Sequence, residues 1–295
     1  MSYAPDWIVE GRDWPNREAS RFMAAGGVRF HVQVMGAGPV VLLLHGAGAA
    51  THSWRDLAPL LAERFTVVAP DLPGHGFSST PASSGMTLPG MAASVAALLG
   101  ELGLTPALAV GHSAGAGVMI RMALDGQLTG PLVALNGALL PFPGVAAKLF
   151  PGLAKALFVN PFVPSLVAAG IRGGGVVERF LGRTGSRLDA RGTELYARLF
   201  GTAGHVAGML AMMASWDLET LAAALPRLAN PLTLVYGDRD GTVPPNVSIT
   251  VAKRVPGARL IKLAGLGHLA HEEQPAHIAA IIGEVYAGQG TVHDA

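Results

Sequence analysis

Six short runs of aliphatic and β-branched residues constrain this chain most: "PVVLLLHG" (39–46), "FTVVAPDLPG" (65–74), "PALAVGHS" (106–113), "PLVALNG" (131–137), "PLTLVYGD" (231–238) and "ARLIKLAG" (258–265). Most are continuously apolar rather than alternating, as strands buried on both faces of a parallel sheet must be. Helical patterns fall between them, over about 54–63, 87–102, 114–124, 246–254 and 271–287. Strands alternating with helices specify a mostly parallel sheet with helices on both faces. Upstream, "SRFMAAGGVRFHVQVMG" reads as two further strands joined at Gly26-Gly27, a hairpin. The expectation is an α/β domain built on a mostly parallel, eight-stranded sheet.

Residues 138–225 break the alternation, with several helical stretches and no strand pattern. They are expected to form a helical lid inserted after the sixth strand, over the carboxyl edge of the sheet. The expected partition is an N-terminal extension (1–18), a first core part (19–137), the lid (138–225), a second core part (226–288) and a tail (289–295), both ends loose. The chain has no cysteine, which removes disulfides, thiolate metal sites and a cysteine nucleophile. The net charge of +1 gives no reason to expect nucleic acid. Charged residues make up 14%, against roughly 25% in an ordinary soluble domain, so apolar surface is expected. No secretory signal or membrane span is read; prolines at 141, 143, 151, 161 and 164 interrupt the most apolar tract. A cytoplasmic location is expected, with membrane association left open.

Open parallel sheets bind ligands beyond the carboxyl ends of their strands. The loops there supply His45-Gly46-Ala47-Gly48, Asp71, His112-Ser113-Ala114-Gly115, Asp238-Arg239-Asp240 and Gly267-His268. Ser113 sits in G-x-S-x-G at a strand-to-helix turn. Such a turn is too tight for side chains two residues before and after the serine, hence Gly111 and Gly115. A serine hydroxyl needs a base, and the base needs an acid to fix its tautomer. The chain order serine, acid, histidine gives Ser113, Asp240 and His268 as catalytic candidates. Asp238 competes with Asp240, which lies further into its loop and can reach across; Asp238 is expected to bond the turn. The backbone amides of Ala47 and Ala114 are candidates for an oxyanion hole. His45 and Gly46 shape the first of these loops, and His45 is also a candidate substrate contact. Met209, Met213 and Trp216 could line a pocket or simply pack in the core.

No metal or cofactor is expected. "HLAH" lacks the glutamate of a zinc motif, and neither a nucleotide P-loop nor a dinucleotide fingerprint is present. The tract 141–166 carries only Lys148 and Lys155 as charges. It reads either as lid helices packed on the core or as a surface for a large apolar ligand or a membrane. Arg179, Arg183, Arg187 and Arg191 are spaced by four, but Gly182 and Gly185 argue against one continuous basic stripe.

The motifs "HGAG", "DLPGHGFS", "GHSAG", "GDRDGTVP" and "GLGH", in that order, resemble the α/β-hydrolase superfamily. The resemblance implies the α/β-hydrolase fold, with serine rather than the aspartate nucleophile of dehalogenases and epoxide hydrolases. "RDWPNREASRF", "THSWRDLAPLLAERFTVVAPDLPGHGFSS", "LNGALLPFPG", "GRTGSRLDARG", "GHVAGMLAMMASWDLE" and "GLGHLAHEE" are similar to the magnesium-chelatase-associated branch of bacteriochlorophyll biosynthesis. This second resemblance implies a role near magnesium insertion into protoporphyrin. The partners it implies are an apolar small molecule or porphyrin and the magnesium chelatase complex. It leaves open an enzyme of ester-type chemistry or a binding accessory with an idle triad.

Overall fold

The computed structural model describes residues 4–141, 162–171 and 175–288. Its strands are β1 (Ser20–Ala25), β2 (Val28–Met35), β3 (Val40–Leu44), β4 (Thr66–Pro70), β5 (Pro106–His112), β6 (Leu132–Leu135), β7 (Leu232–Gly237) and β8 (Arg259–Leu263). They form one sheet in the order β1-β2-β4-β3-β5-β6-β7-β8. The β1–β2 hairpin turns at Gly26 and Gly27, both at positive φ. β2 pairs antiparallel with β4, and every later pairing is parallel. The six apolar runs are the six parallel strands.

The helices are α1 (Leu57–Ala62), α2 (Leu88–Leu102), α3 (Ala114–Leu124), α4 (Val163–Ile171), α5 (Val176–Arg183), α6 (Ala190–Phe200), α7 (Ala203–Ser215), α8 (Leu218–Ala224), α9 (Asn246–Arg254), α10 (Ala270–Glu273) and α11 (Pro275–Ala287). The period-2 geometry of β3 sends Leu42 and Leu44 into a core shared with α2, α3 and α9. Val41 and Leu43 enter the opposite core, with Leu57 and Leu61 of α1 and Ile278 and Ile282 of α11. Burial on both faces explains why the runs of β3 to β7 show no polar alternation, whereas β8, at the sheet edge, is largely exposed and carries Arg259 and Lys262. The helical pattern expected over 271–287 divides at Gln274 (φ −137°, ψ 66°), because Pro275 excludes helical geometry from the residue before it.

Helices α4 to α8 lie between β6 and β7. The four arginines at four-residue spacing do not lie on one helix: Arg179 and Arg183 are on α5, which stops at Arg183, Gly185 follows at φ 81°, and Arg191 is on α6. Most of the apolar tract, residues 142–161, lies outside the described residues, as does the tail from 289. No helix among the described residues is long and apolar enough to cross a membrane.

The N-terminal segment corrects the expectation of a loose end. Trp14 is buried and its indole N–H donates to Thr51 Oγ1 at 2.9 Å. Trp7 meets Phe22 and Phe77 edge to face. Asp13 pairs with Arg191 and Arg198 on α6. Aromatic burial ties the segment to the sheet, and these ion pairs tie it to the insertion.

Candidate active site

Strand β5 ends at His112, and Ser113 turns the chain at φ 50°, ψ −115° before α3 begins at Ala114. L-residues avoid that conformation, and it persists only where its surroundings enforce it. Here they do. The Ser113 N–H donates to the Leu135 carbonyl at 3.0 Å, and the Ser113 carbonyl accepts from the Ala116 and Ala138 N–H groups. A Cβ on Gly115 would lie 2.1 Å from the Leu44 oxygen, and one on Gly111 would lie 2.5 Å from Ala116 Cα. The two glycines therefore let the first turn of α3 seat directly on the end of β3. The serine side chain makes no capping bond, nor any other hydrogen bond among the described residues.

His268 Nδ1–H donates to Asp240 Oδ2 at 2.8 Å, which leaves Nε2 with a free lone pair. Asp240 Oδ1 accepts from the Thr242 and Val243 N–H groups at 2.7 and 2.8 Å. Asp238 faces elsewhere: it accepts from the Gly265 N–H and pairs with Lys262, so it ties the turn. His112, one residue before Ser113, donates Nε2–H to the His268 carbonyl at 2.9 Å, and its ring lies 4.7 Å from the His268 ring, tilted by 55°. Serine, imidazole and carboxylate thus come from three loops at one sheet edge. Complete burial pushes the His112 pKa well below the ordinary histidine value, so it stays neutral.

Behind this edge, His271 Nε2–H donates to Ser53 Oγ at 2.7 Å, and Ser53 donates to Glu272 Oε1 at 2.8 Å. Tyr196 and Arg55 also donate to Glu272. Burial pushes the Glu272 pKa up to about 7 against the pull of Arg55. Burial would also raise Asp71, but His31 and the Phe77 N–H hold it well below the usual carboxylate range.

The remaining sequence candidates fall in different places. Ala47 is exposed on the loop after β3, and Ala114 opens α3 beside Ser113. His45 is fully buried; Nδ1–H donates to the Gly46 carbonyl and Nε2 accepts from the Leu72 N–H, so its ring braces the loop and offers nothing to a ligand. Met209 sits against the same loop: a Cβ on Gly48 would approach its sulfur to 3.0 Å. Met213 and Trp216 pack on the larger core, with Trp216 against Gly117 of α3. Among the described residues no group of three or more histidine, aspartate or glutamate side chains is arranged to hold a metal.

Residues 41–281 match the family model described as the alpha/beta hydrolase family. The chain belongs to the α/β-hydrolase family. It is 41% identical over 262 residues, 88% of this chain and 92% of the relative, to the "Magnesium-chelatase 30 kDa subunit" of Rhodobacter capsulatus. Among solved structures it is similar to an α/β-hydrolase-fold protein of Burkholderia ambifaria (TM-score 0.76, 23% identity, 90% of this chain and 97% of that one). It is also similar to an esterase of Thermogutta terrifontis (TM-score 0.72, 22% identity, 91% and 98%). At these identities the two structures speak to the fold alone.

One residue of this α/β hydrolase escaped the sequence reading. Asn136, just past β6, donates Nδ2–H to Asp240 Oδ2 at 2.7 Å. It sits at φ 48°, a conformation asparagine tolerates better than most residues. An asparagine just past a strand at the site edge was the available signal.

Proposed function

We propose that the chain is a serine hydrolase acting on an ester-type bond of an apolar substrate, in the chemistry that surrounds magnesium insertion into a porphyrin. Ser113 Oγ attacks the carbonyl carbon as His268 Nε2 takes its proton. Asp240 holds the imidazolium that forms, and the Ala47 and Ala114 amides stabilise the oxyanion. His268 returns the proton to the leaving group, and water then releases the acyl group from Ser113. The insertion, 138–225, serves as the lid over the carboxyl edge. Met209 stands at the pocket wall. The observation that carries this reading is the strained Ser113 at the start of α3 beside the 2.8 Å Asp240–His268 pair. The pathway rests on the relative named as a magnesium-chelatase subunit. Phe162, Leu166 and Phe180, each more than half exposed on or beside α4 and α5, suit peripheral contact of a cytoplasmic protein with a membrane through 141–166 and its surroundings. The test is labelling by a fluorophosphonate: wild type labels at Ser113 and Ser113→Ala does not. An intact wild type that stays unlabelled under conditions that label control esterases rejects the hydrolase.

The same relative's name favours a second reading, an accessory that binds porphyrin or docks on the chelatase with its triad idle. Titration with protoporphyrin and its magnesium form, beside an ester panel, separates the two. In the accessory, Ser113→Ala binds porphyrin and supports magnesium insertion as wild type does.

A further inference from the structure

The segment Thr184-Gly185-Ser186 belongs to the insertion, yet its Thr184 carbonyl and Ser186 hydroxyl face the two loops that carry the acid and the base. The Thr184 carbonyl accepts the Gly241 N–H at 3.0 Å and the His268 N–H at 3.1 Å. Ser186 Oγ accepts the Leu269 N–H at 2.8 Å. One residue further, the Arg187 N–H donates to Glu273 Oε2, while Glu273 Oε1 accepts the Gly267 N–H. The amides of residues 267, 268 and 269 are thus all engaged, two of them by the insertion directly. The amide after Asp240 is held by the same carbonyl that holds His268.

Three glycines from three segments make this approach possible. A Cβ on Gly185 (φ 81°) would lie 1.9 Å from the Arg239 oxygen. One on Gly241 would lie 2.3 Å from the Arg183 oxygen, and one on Gly267 would lie 2.3 Å from the Gly185 carbonyl carbon. Each obstacle is backbone, which cannot swing aside. Thr184 and Ser186 are themselves buried, at 6% and 5% exposure, so these bonds lie away from water. Surface packing of a loop requires no such convergence on the backbone of two separate catalytic loops.

We propose that the 184–186 turn is the positioning element for the Asp240–His268 pair: the insertion that would cover the substrate also sets the distance between acid and base. Ser186 is the positioning residue, acting on His268 through the Leu269 amide. The proposal deepens the hydrolase reading and rests on it. It predicts that the insertion and the catalytic pair do not vary independently.

The experiment compares full-length wild type, Ser186→Ala and Ser186→Thr. The readouts are the rate of fluorophosphonate labelling at Ser113 against pH, the NMR signal of the proton between His268 Nδ1 and Asp240, and the thermal midpoint. A small displacement of a catalytic group can slow chemistry by up to about 100-fold. Ser186→Ala is expected to slow labelling by about tenfold or more and to shift or broaden that proton signal, with the folded fraction unchanged. Ser186→Thr, which keeps the hydroxyl, restores both. Wild-type labelling and an unmoved His268 signal in Ser186→Ala overturn the proposal. So does a loss of labelling that merely tracks the unfolded fraction. If wild type itself fails to label, the hydrolase reading falls, and the NMR comparison still decides whether the turn sets the pair.

Discussion

Asn136 and His268 share one oxygen of Asp240: Asn136 Nδ2–H donates at 2.7 Å to the same Oδ2 that receives His268 Nδ1–H. With the Thr242 and Val243 amides on Oδ1, both oxygens of this carboxylate are held by hydrogen bonds. A fixed acid holds the imidazole in the tautomer that leaves Nε2 free.

The variant Asn136→Asp tests that arrangement with little change of shape. It removes the donor and sets a second carboxyl against the first, and aspartate also tolerates positive φ. A hydrogen bond to a charged group contributes about 1.5–3 kcal/mol, so reactivity of Ser113 should fall roughly 10- to 100-fold. The measurement is the labelling rate with the fold checked by circular dichroism. An undiminished rate would show that Asn136 does not govern the acid.

Gly115→Ala should damage both stability and reactivity. The new methyl meets the carbonyl oxygens of Leu44 and His45 at 2.1 and 2.6 Å, and neither can rotate away. The start of α3 must lift off β3, carrying the Ala114 amide with it. Overpacking of this kind costs about 1–3 kcal/mol, read as a lower thermal midpoint. Labelling of the folded fraction should fall as well.

Much of this was legible in the sequence because the signals are local. Unbroken apolar runs ending in glycine specify parallel strands, and G-x-S-x-G at a strand end specifies a turn whose glycines face backbone. Pro275 before an otherwise continuous helical pattern was a local signal too, although the reading carried the helix through it. What stayed hidden depends on partners far along the chain. Asn136 takes its role from Asp240, more than a hundred residues away. Thr184 acts through a main-chain carbonyl, which leaves no trace in residue type. His45 was weighed as a ligand contact, yet the Leu72 amide and the Gly46 carbonyl occupy its ring. The packed N-terminus was signalled by two tryptophans that composition alone could not place.

Acid should destabilise the fold from about pH 6.5 downward. Burial lowers the pKa of His45, His52, His75, His112, His205 and His271, with His205 at about 4 and His271 at about 3. Between 6.5 and those values the unfolded chain binds protons that the native state refuses, so stability falls as pH falls. His205 alone accounts for up to about 3 kcal/mol on this scale. Its Nδ1 accepts the Gly76 N–H and its Nε2–H donates to the Gly48 carbonyl, so protonation would sever the first bond. Thermal midpoints measured from pH 8 to pH 4 should drop, and His205→Gln should flatten the drop.

Glu272 works in the opposite direction. Its raised pKa means that the native state keeps a proton the unfolded chain has lost between about 4.5 and 7. Its contribution is present below 4.5 and is lost as pH rises to about 7. One glutamate set against six histidines leaves acid destabilisation dominant. The glutamate emerges by difference: Glu272→Gln should gain stability relative to wild type as pH goes from 5 to 8, by about 3 kcal/mol at most. A constant difference across that range would place Glu272 in the ionised form throughout.

Trp14→Ala should cost about 3–5 kcal/mol, the range for emptying a large aromatic site. The expected loss follows from the position of the indole. Its ring meets Phe77 and His52 edge to face, and its N–H donates to Thr51 Oγ1. The Thr51 N–H in turn donates to Asp71 Oδ1 at 2.7 Å, and Asp71 also holds His31 and the Phe77 amide. Removing the ring opens a cavity above the loop that follows Ala47 and strips the Thr51 hydroxyl of its donor. Trp14→Phe keeps much of the packing and loses the N–H, so it should fall between wild type and the alanine variant. Chemical denaturation of the three proteins orders them, and a Trp14→Ala midpoint equal to wild type would return the segment to the status of a loose end.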